Sequence, residues 1–337
     1  MADGSAFFDG VDWAAEITDG GRHTVRDLLF DAERRLTGAG VPSPQADAAL
    51  LMAWVLDVPR NQLFLHDEPT NAQRMQYEKA VARRLSRIPV QHITGRSAFR
   101  RIDLAVGPGV FIPRPESELV AEAGIRALRE ANAGTAVDLC SGSGALGLSL
   151  ALEAPGSIVY LVERDADALE WTNRNVDTYR EAVASVGSTV EVVAADAGDV
   201  ALVGQPLSSL AGSIDVVCCN PPYIPDSMIP REIEVRDHDP AVALYGGADG
   251  LDIIRRVVRT AAVLLRPGGL LVIEHADVQG PQAPGGGVVG ILRQACLDDD
   301  LAMLVPGVPG DQLFTSVTDR LDLAGLPRFT LATRADN

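Results

Sequence analysis

The first clear pattern along the chain is a helical repeat. Over residues 24–36 the apolar positions 25, 28, 29, 32 and 36 recur with a 3.6-residue period. Thr24 with Asp27 three residues on has the form of a capping box, and Gly38 and Gly40 end the run. Ser43-Pro44 predicts a second helix through Ala46, Ala49, Leu50, Ala53 and Trp54, with Pro44 in its first turn. A third helix is predicted from about Asn71 to Arg87, with Met75, Ala82 and Leu85 on one face. Residues 1–87 thus read as a small helical bundle domain.

Residues 88–115 break that period. The alternation over 99–106 reads as a strand, and Gly95 and Gly107-Pro108-Gly109 mark turns. This stretch is expected to be a β-hairpin linking two domains. From 116 to 337 short apolar strands alternate with helices. Strands are predicted at 136–139, 157–162, 190–194, 214–219 and 270–274, and helices at 118–130, 145–152, 167–179 and 251–265. Such alternation predicts an α/β domain with a mostly parallel sheet covered on both faces. The Gly/Pro-rich segment 278–289 is expected to be a mobile loop.

At 337 residues and 47% hydrophobic content, the chain has room for two domains and enough apolar surface for full cores, which excludes wholesale disorder. No apolar run reaches the ~18 residues of a spanning helix, so a membrane-embedded protein is excluded. Residues 1–20 carry acids and no basic region before an apolar stretch, so no signal peptide is expected and the cytoplasm is the default.

The net charge of −17 argues against broad electrostatic capture of nucleic acid. Of the 29 basic residues only Lys79 is a lysine, a bias that reads as genome composition. A local basic patch remains open at Arg96, Arg100, Arg101 and Arg114, with Asp103 opposing them. Cys140, Cys218, Cys219 and Cys296 have no C-x-x-C spacing, and the five histidines have no metal-ligand spacing, so no metal site is expected.

Two motifs carry candidate chemistry. Val137-Asp138-Leu139-Cys140-Ser141-Gly142-Ser143-Gly144-Ala145 joins a strand to a helix, and its glycines let backbone approach a ligand closely. It is neither a full G-x-G-x-x-G nor a P-loop. Glu163, at the end of the next strand, can accept hydrogen bonds from both ribose hydroxyls of a nucleoside cofactor. Asp196, after the third strand, can bind adenine directly or through a water. Together these describe S-adenosylmethionine more naturally than NAD. Asp138 either orders the loop or reaches the methionine ammonium.

The second motif is Asn220-Pro221-Pro222-Tyr223, after the apolar strand 214–219. Two prolines end the strand and stiffen the turn. The Asn220 side-chain oxygen and the Pro221 carbonyl can each take one hydrogen of a planar NH2 group, and Tyr223 can wall a flat substrate. An amide or exocyclic amine is a poor nucleophile, so holding it by two directed hydrogen bonds before an electrophilic methyl is the chemistry this motif suits. Cys218 and Cys219 read as small core residues.

These motifs together resemble class I S-adenosylmethionine-dependent methyltransferases acting on nitrogen, a likeness shared with adenine-N6 DNA and RNA methyltransferases. Pro89-Val-Gln-His-Ile-Thr-Gly95, Phe111-Ile-Pro-Arg-Pro-Glu-Ser-Glu118 and Asp322-Leu-Ala-Gly-Leu-Pro-Arg-Phe329 narrow it. With the helical N-terminus, they resemble the release-factor glutamine methyltransferases of the HemK/PrmC family. The resemblance implies a Rossmann-like, mostly parallel seven-stranded sheet. It implies methylation of the side-chain amide nitrogen (N5) of glutamine in the Gly-Gly-Gln loop of bacterial peptide chain release factors, with the helical domain helping to dock that partner.

It further implies that Asp138, Cys140, Ser141, Gly142, Ser143, Gly144, Glu163, Asp196, Ala197 and Asn220 meet the cofactor. Phe111, Pro113 and Asn220 to Tyr223 would meet the glutamine, with Asn220, Pro221 and Tyr223 in the catalytic role. Cys140 stands where the family usually has glycine, and Asp239-Pro240 where Glu-Pro is common. A monomer without direct nucleic-acid or membrane contact is expected. His92 and His275 read as structural. Glu116 and Glu118 read as acids favourable at a helix N-terminus. Arg114 either pairs inside the protein or meets the release factor. Adenine-N6 methylation is the competing reading.

Overall fold

The computed structural model describes residues 24–298, 300–304 and 310–336. Residues 1–20, read above for a leader, lie outside them. The chain divides into two compact units, 1–94 and 95–337.

The first unit holds α1 (Val25–Gly38), α2 (Pro44–Leu56), α3 (Asn71–Leu85) and α4 (Val90–Thr94). The capping box at α1 is present: Asp27 N–H donates to Thr24 Oγ1 at 3.2 Å, and Thr24 N–H to Asp27 Oδ2 at 3.1 Å. Thr70 and Gln73 repeat it at α3. The buried face of α1 is Val25, Leu28, Ala32 and Leu36, as its period predicts.

The expected face of α3 is not the buried one, and the residues read along α2 divide between core and surface. Leu50, Trp54 and Met75 are exposed. The buried positions are Asp47, Ala48, Leu51, Met52, Ala53 and Val55 on α2, and Tyr77, Ala80, Val81 and Arg84 on α3. Both helices bury an i, i+3, i+4, i+7 stripe, residues 48, 51, 52 and 55 on α2 and 77, 80, 81 and 84 on α3. Arg84 Nε donates to Asp47 Oδ2 at 2.7 Å, so two charged residues face inward as an ion pair. Asp47→Ala takes the carboxylate away from the buried guanidinium, and should cost about 3–5 kcal/mol of stability. The check is the urea midpoint of the helical unit, and an unchanged midpoint would mean the pair contributes nothing.

The boundary expected near residue 87 falls at 94/95 instead, because residues 90–94 form a helix of the first unit. The expected single strand over 99–106 is also two strands. β1 (Arg96–Phe99) and β2 (Ile102–Ala105) pair around a turn at Arg100-Arg101, with Arg100 at φ +50°. This hairpin belongs to the second unit. Phe99, Ile102 and Leu104 sit in its core, so the hairpin is anchored rather than a free linker.

The second unit continues with α5 (Ser117–Glu130), β3 (Thr135–Leu139), α6 (Ala145–Glu153), β4 (Ile158–Glu163), α7 (Ala166–Ser185), β5 (Thr189–Ala194) and β6 (Ile214–Cys219). Then come α8 (Ile233–His238), α9 (Ala241–Leu244), α10 (Asp252–Leu264), β7 (Leu265–Glu274), α11 (Gly287–Gln294), β8 (Phe314–Leu321) and β9 (Pro327–Arg334). The expected seven-stranded, mostly parallel sheet is present, in the order β5-β4-β3-β6-β7-β9-β8. β3 to β7 run parallel, and β8 and β9 close one edge antiparallel. One face packs on α5, α6 and α7, the other on α10 and α11.

Residues 278–289 are not a free loop. They form 3-10 turns at Asp277–Gln279 and Pro284–Gly286 and then enter α11, with Gln279 buried. The tail Asp322–Phe329 forms the β8–β9 turn and the start of β9, and in the turn Asp322 Oδ1 accepts from Ala324 and Leu326 N–H. His275 is buried between strands. Its Nε2 lies 2.9 Å from Asp319 Oδ1 and 3.1 Å from Thr330 Oγ1, tying β7 to β8 and β9, which is a structural role. His92 lies on α4 rather than in the hairpin. No described helix is long and apolar enough to cross a membrane.

Candidate active site

In an open parallel sheet, ligands bind beyond the carboxyl ends of the strands where the strand order reverses. Here that place is between β3 and β6. Leu139 pairs with Val162 on β4 and Cys219 on β6, and Cys219 pairs with Ile273 on β7. The residues that follow this row are Cys140, Glu163, Asn220 and Glu274. Parallel register alone brings the glycine loop, Glu163 and the Asn-Pro-Pro-Tyr motif to one edge.

The loop is tightly turned. Gly144 N–H donates to the Ser141 carbonyl at 2.8 Å, and Ser141 N–H to the Val162 carbonyl at 3.0 Å. Cys140 adopts φ +63°, a region that glycine enters more easily. From α7, Thr172 donates to the Gly142 carbonyl, and Asn175 Nδ2 to the Ser143 carbonyl at 2.9 Å. Asn175 also bonds the backbone of Ala105 on the hairpin. These two supports lie one helical turn apart on α7, with no local sequence signal to mark them.

Asp138 is fully buried. Its Oδ2 accepts from Gly147 N–H at 2.9 Å, so it orders the start of α6, while Oδ1 has no hydrogen-bond partner. Burial pushes its carboxyl up to about 8; the Gly147 amide opposes this, and the charge of Glu163 adds to it. Ser141 Oγ is likewise buried without a partner, and the space a Cβ would take on Gly142 is open. Glu163 accepts from Gly142 N–H at 2.9 Å through Oε2, and from Arg164 and Asp165 N–H through Oε1. A carboxylate has about four lone-pair sites, so capacity for a further donor remains.

Asp196 is not a free acid. It pairs with Arg164 and Arg256, both at 2.9 Å, and Oδ1 accepts from Gly198 N–H. Burial raises its pKa, but the Gly198 amide and the two guanidiniums outweigh this and hold it below the ordinary value. Ala197, beside it, is buried in the core.

The Asn-Pro-Pro-Tyr turn is held by residues that its sequence does not reveal. Asn220 Nδ2 donates to Ser117 Oγ at 3.1 Å. Gln279 Nε2 donates to the Tyr223 carbonyl at 2.8 Å. Gly246 and Gly250 lie against the carbonyls of Pro222 and Tyr223, where an added Cβ would stand 2.5 and 2.2 Å away. The Tyr223 hydroxyl is 3.5 Å from Glu274 Oε1. Burial, and then the nearby Glu274 charge, raise the Tyr223 pKa. Cys218 and Cys219 are fully buried and their thiols pushed up by burial, as core residues should be.

Arg114 pairs inside the protein, 2.5 Å from Asp239, with its guanidinium 4.8 Å from the Phe111 ring centre. Burial pushes Asp239 up to about 6 against the pull of Arg114. The basic patch left open above is paired in part within the chain, with the Arg96 and Arg101 side chains 69% and 79% exposed. Arg100 pairs with Glu122 and Glu153, Arg101 lies 3.6 Å from Glu153, and Arg96 lies 3.6 Å from Asp103. Glu116 is the N-cap of α5, and Glu118, in its first turn, also accepts from Arg100 N–H.

The family model for the PrmC N-terminal domain matches residues 27–95, and that for the methyltransferase small domain matches 101–233. The chain is 48% identical to the release factor glutamine methyltransferase of Streptomyces coelicolor over 262 residues, covering 76% of this chain and 86% of the relative. It is 40% identical to that of Mycolicibacterium smegmatis over 310 residues, covering 92% and 98%. With both units matched in order, and identity extending over nearly its whole length, this chain belongs to the family of release factor glutamine methyltransferases.

Proposed function

We propose that this chain transfers a methyl group from S-adenosylmethionine to the N5 side-chain nitrogen of the glutamine in the Gly-Gly-Gln loop of bacterial peptide chain release factors. The observation that carries the reading is at Asn220. Its Nδ2 is engaged by Ser117, which leaves Oδ1 as an acceptor beside a stiff Pro-Pro turn, at the sheet edge that also holds the glycine loop.

The residues present fit the cofactor. Two buried polar atoms, Asp138 Oδ1 and Ser141 Oγ, have no protein partner beside a loop with open space over Gly142. Asp138, Cys140, Ser141, Gly142, Ser143 and Gly144 would hold its amino-acid end, Glu163 its ribose, and Asp196 with Ala197 its adenine. S-adenosylmethionine, when bound, supplies an electrophilic methyl group. The chain's part is to position the nucleophile. Asn220 Oδ1 and the Pro221 carbonyl each take one N–H of the glutamine amide, aiming the nitrogen and easing its conjugation. Tyr223 and Pro222 would wall the planar amide, and Phe111 and Pro113 would line its approach. The helical unit would help dock the release factor.

Adenine-N6 methylation is not favoured. It calls for free cationic surface, whereas Arg96, Arg100, Arg101 and Arg114 each have an acid of this chain within ion-pair distance. The test is incubation with S-adenosylmethionine and a purified release factor, followed by peptide mass spectrometry. A single methyl on the Gly-Gly-Gln glutamine is expected. An unmodified glutamine, with an adenine-containing nucleic acid methylated instead, would overturn the substrate.

A further inference from the structure

We propose that Arg114 and Asp239 are positioning residues: their ion pair closes a ring of contacts around the Asn-Pro-Pro-Tyr turn and so fixes the slot that the glutamine amide enters. The proposal rests on the amide-methylation reading above. Aiming a weak nucleophile needs walls that keep their spacing, and the turn itself forms only one side of the slot.

The ring can be followed residue by residue. Asn220, which opens the turn, donates through Nδ2 to Ser117 Oγ at 3.1 Å, and Ser117 is the first residue of α5. Three residues before Ser117, Arg114 Nη2 donates to Asp239 Oδ2 at 2.5 Å. From Asp239 the chain runs through α9 and returns to the far end of the turn. There Ile224 N–H donates to the Leu244 carbonyl at 2.8 Å, and Gly246 N–H to the Ile224 carbonyl at 2.9 Å. The turn is thus tied to α5 at its start and to the segment 239–246 at its end. Arg114 joins those two supports. Its guanidinium also lies 4.8 Å from the ring centre of Phe111, a residue proposed to line the approach of the glutamine.

The pair suits a directing role better than a stabilising one. The Asp239 side chain is 1% exposed and that of Arg114 29%. Replacing a buried ion pair by apolar residues of similar size is often neutral for stability. A guanidinium, by contrast, is a rigid plane that can bond a carboxylate and stack on an aromatic ring at once. Arg114 does both, so Asp239 sets where the guanidinium sits, and the guanidinium sets where it meets Phe111. Breaking the pair leaves each side anchored, since Ser117 still holds Asn220 and Leu244 still holds Ile224. What it frees is the spacing between the two sides.

The experiment uses the full chain and a purified release factor. It measures S-adenosylmethionine affinity and stoichiometry, then kcat and KM per cofactor site, for the wild type, Asp239→Asn, Arg114→Gln and the double variant. Assays run well below each thermal midpoint, so that every chain is folded. Asp239→Asn keeps the shape of the buried side chain, and it and Arg114→Gln should each lower kcat by about tenfold to hundredfold, as a shift of about 1 Å or less at a reacting centre does. Cofactor affinity should stay within a few-fold, because Thr172 and Asn175 hold the glycine loop separately. The double variant should be no slower than the slower single one, since residues that act as a unit are lost only once. A lowered midpoint with kcat per site unchanged would make the pair purely structural and overturn the proposal. So would losses that multiply in the double variant. An Asp239→Asn chain as fast as wild type beside a slow Arg114→Gln would also overturn it, placing Arg114 on the release factor instead. An active wild type with unaffected variants defeats this proposal alone. A wild type that leaves the release factor unmethylated defeats the functional reading and this proposal with it.

Discussion

Asn220→Ala is expected to lower methyl transfer by about 10²–10³-fold, the usual cost of removing one preorganised polar contact at a reacting centre, while S-adenosylmethionine affinity stays within a few-fold. The split follows from what the side chain holds. Its nitrogen is tied to Ser117, and its oxygen is the group proposed to receive the glutamine N–H. The glycine loop and Glu163 are held by other contacts: Thr172, Asn175 and the Val162 carbonyl for the loop, and three backbone amides for the acid. Truncating Asn220 touches none of them. Equilibrium binding of the cofactor and single-turnover methylation of a release factor separate the two effects. A near-wild-type rate would remove Asn220 from the positioning role.

Gly250→Ala should be nearly as damaging, although Gly250 belongs to neither motif. It adopts φ +75°, and a Cβ there would stand 2.2 Å from the Tyr223 carbonyl oxygen and 2.7 Å from Gln279 Nε2. The first obstacle is backbone and cannot swing aside. The methyl must push the end of the Asn-Pro-Pro-Tyr turn away or break the Gln279 bond to it. A shift of about 1 Å in a positioning group costs about 10²-fold in rate, and the strained backbone and lost hydrogen bond together cost about 2–4 kcal/mol of stability. A lowered thermal midpoint with a depressed kcat is the expected pair of results. Wild-type kcat in a folded variant would show that the turn does not depend on this close approach.

Much of this protein is legible in its sequence because local rules govern it. The capping box at Thr24, the strand ended by two prolines at Asn220, and the glycine loop after an apolar strand are short-range features whose physics does not depend on distant residues. The central strands β3, β6 and β7 read correctly because parallel strands buried on both faces are apolar runs, while β5, on the edge, shows only a short apolar run. β8 and β9 escaped the strand-by-strand reading, since β8 lies on the solvent-exposed edge and carries polar residues at most positions. The face of α3 was misread for a different reason. Periodicity places charged residues outside, and only the pairing of Asp47 with Arg84 makes it favourable to turn both inward.

What the sequence by itself determined is the set of residue types at 138–144, at 163 and at 220–223, each suited to what its own turn or strand end can do. What only the tertiary structure decided is the support. Ser117, Thr172, Asn175, Gly250, Glu274 and Gln279 lie up to 162 positions apart in the chain. They meet at the site because parallel pairing stacks the strand ends in one row and the helices return over them. The same packing turned Arg100 and Arg114 of the apparent basic patch into internal ion pairs. No local rule encodes such contacts, because each depends on chain segments that become neighbours only after the sheet has formed.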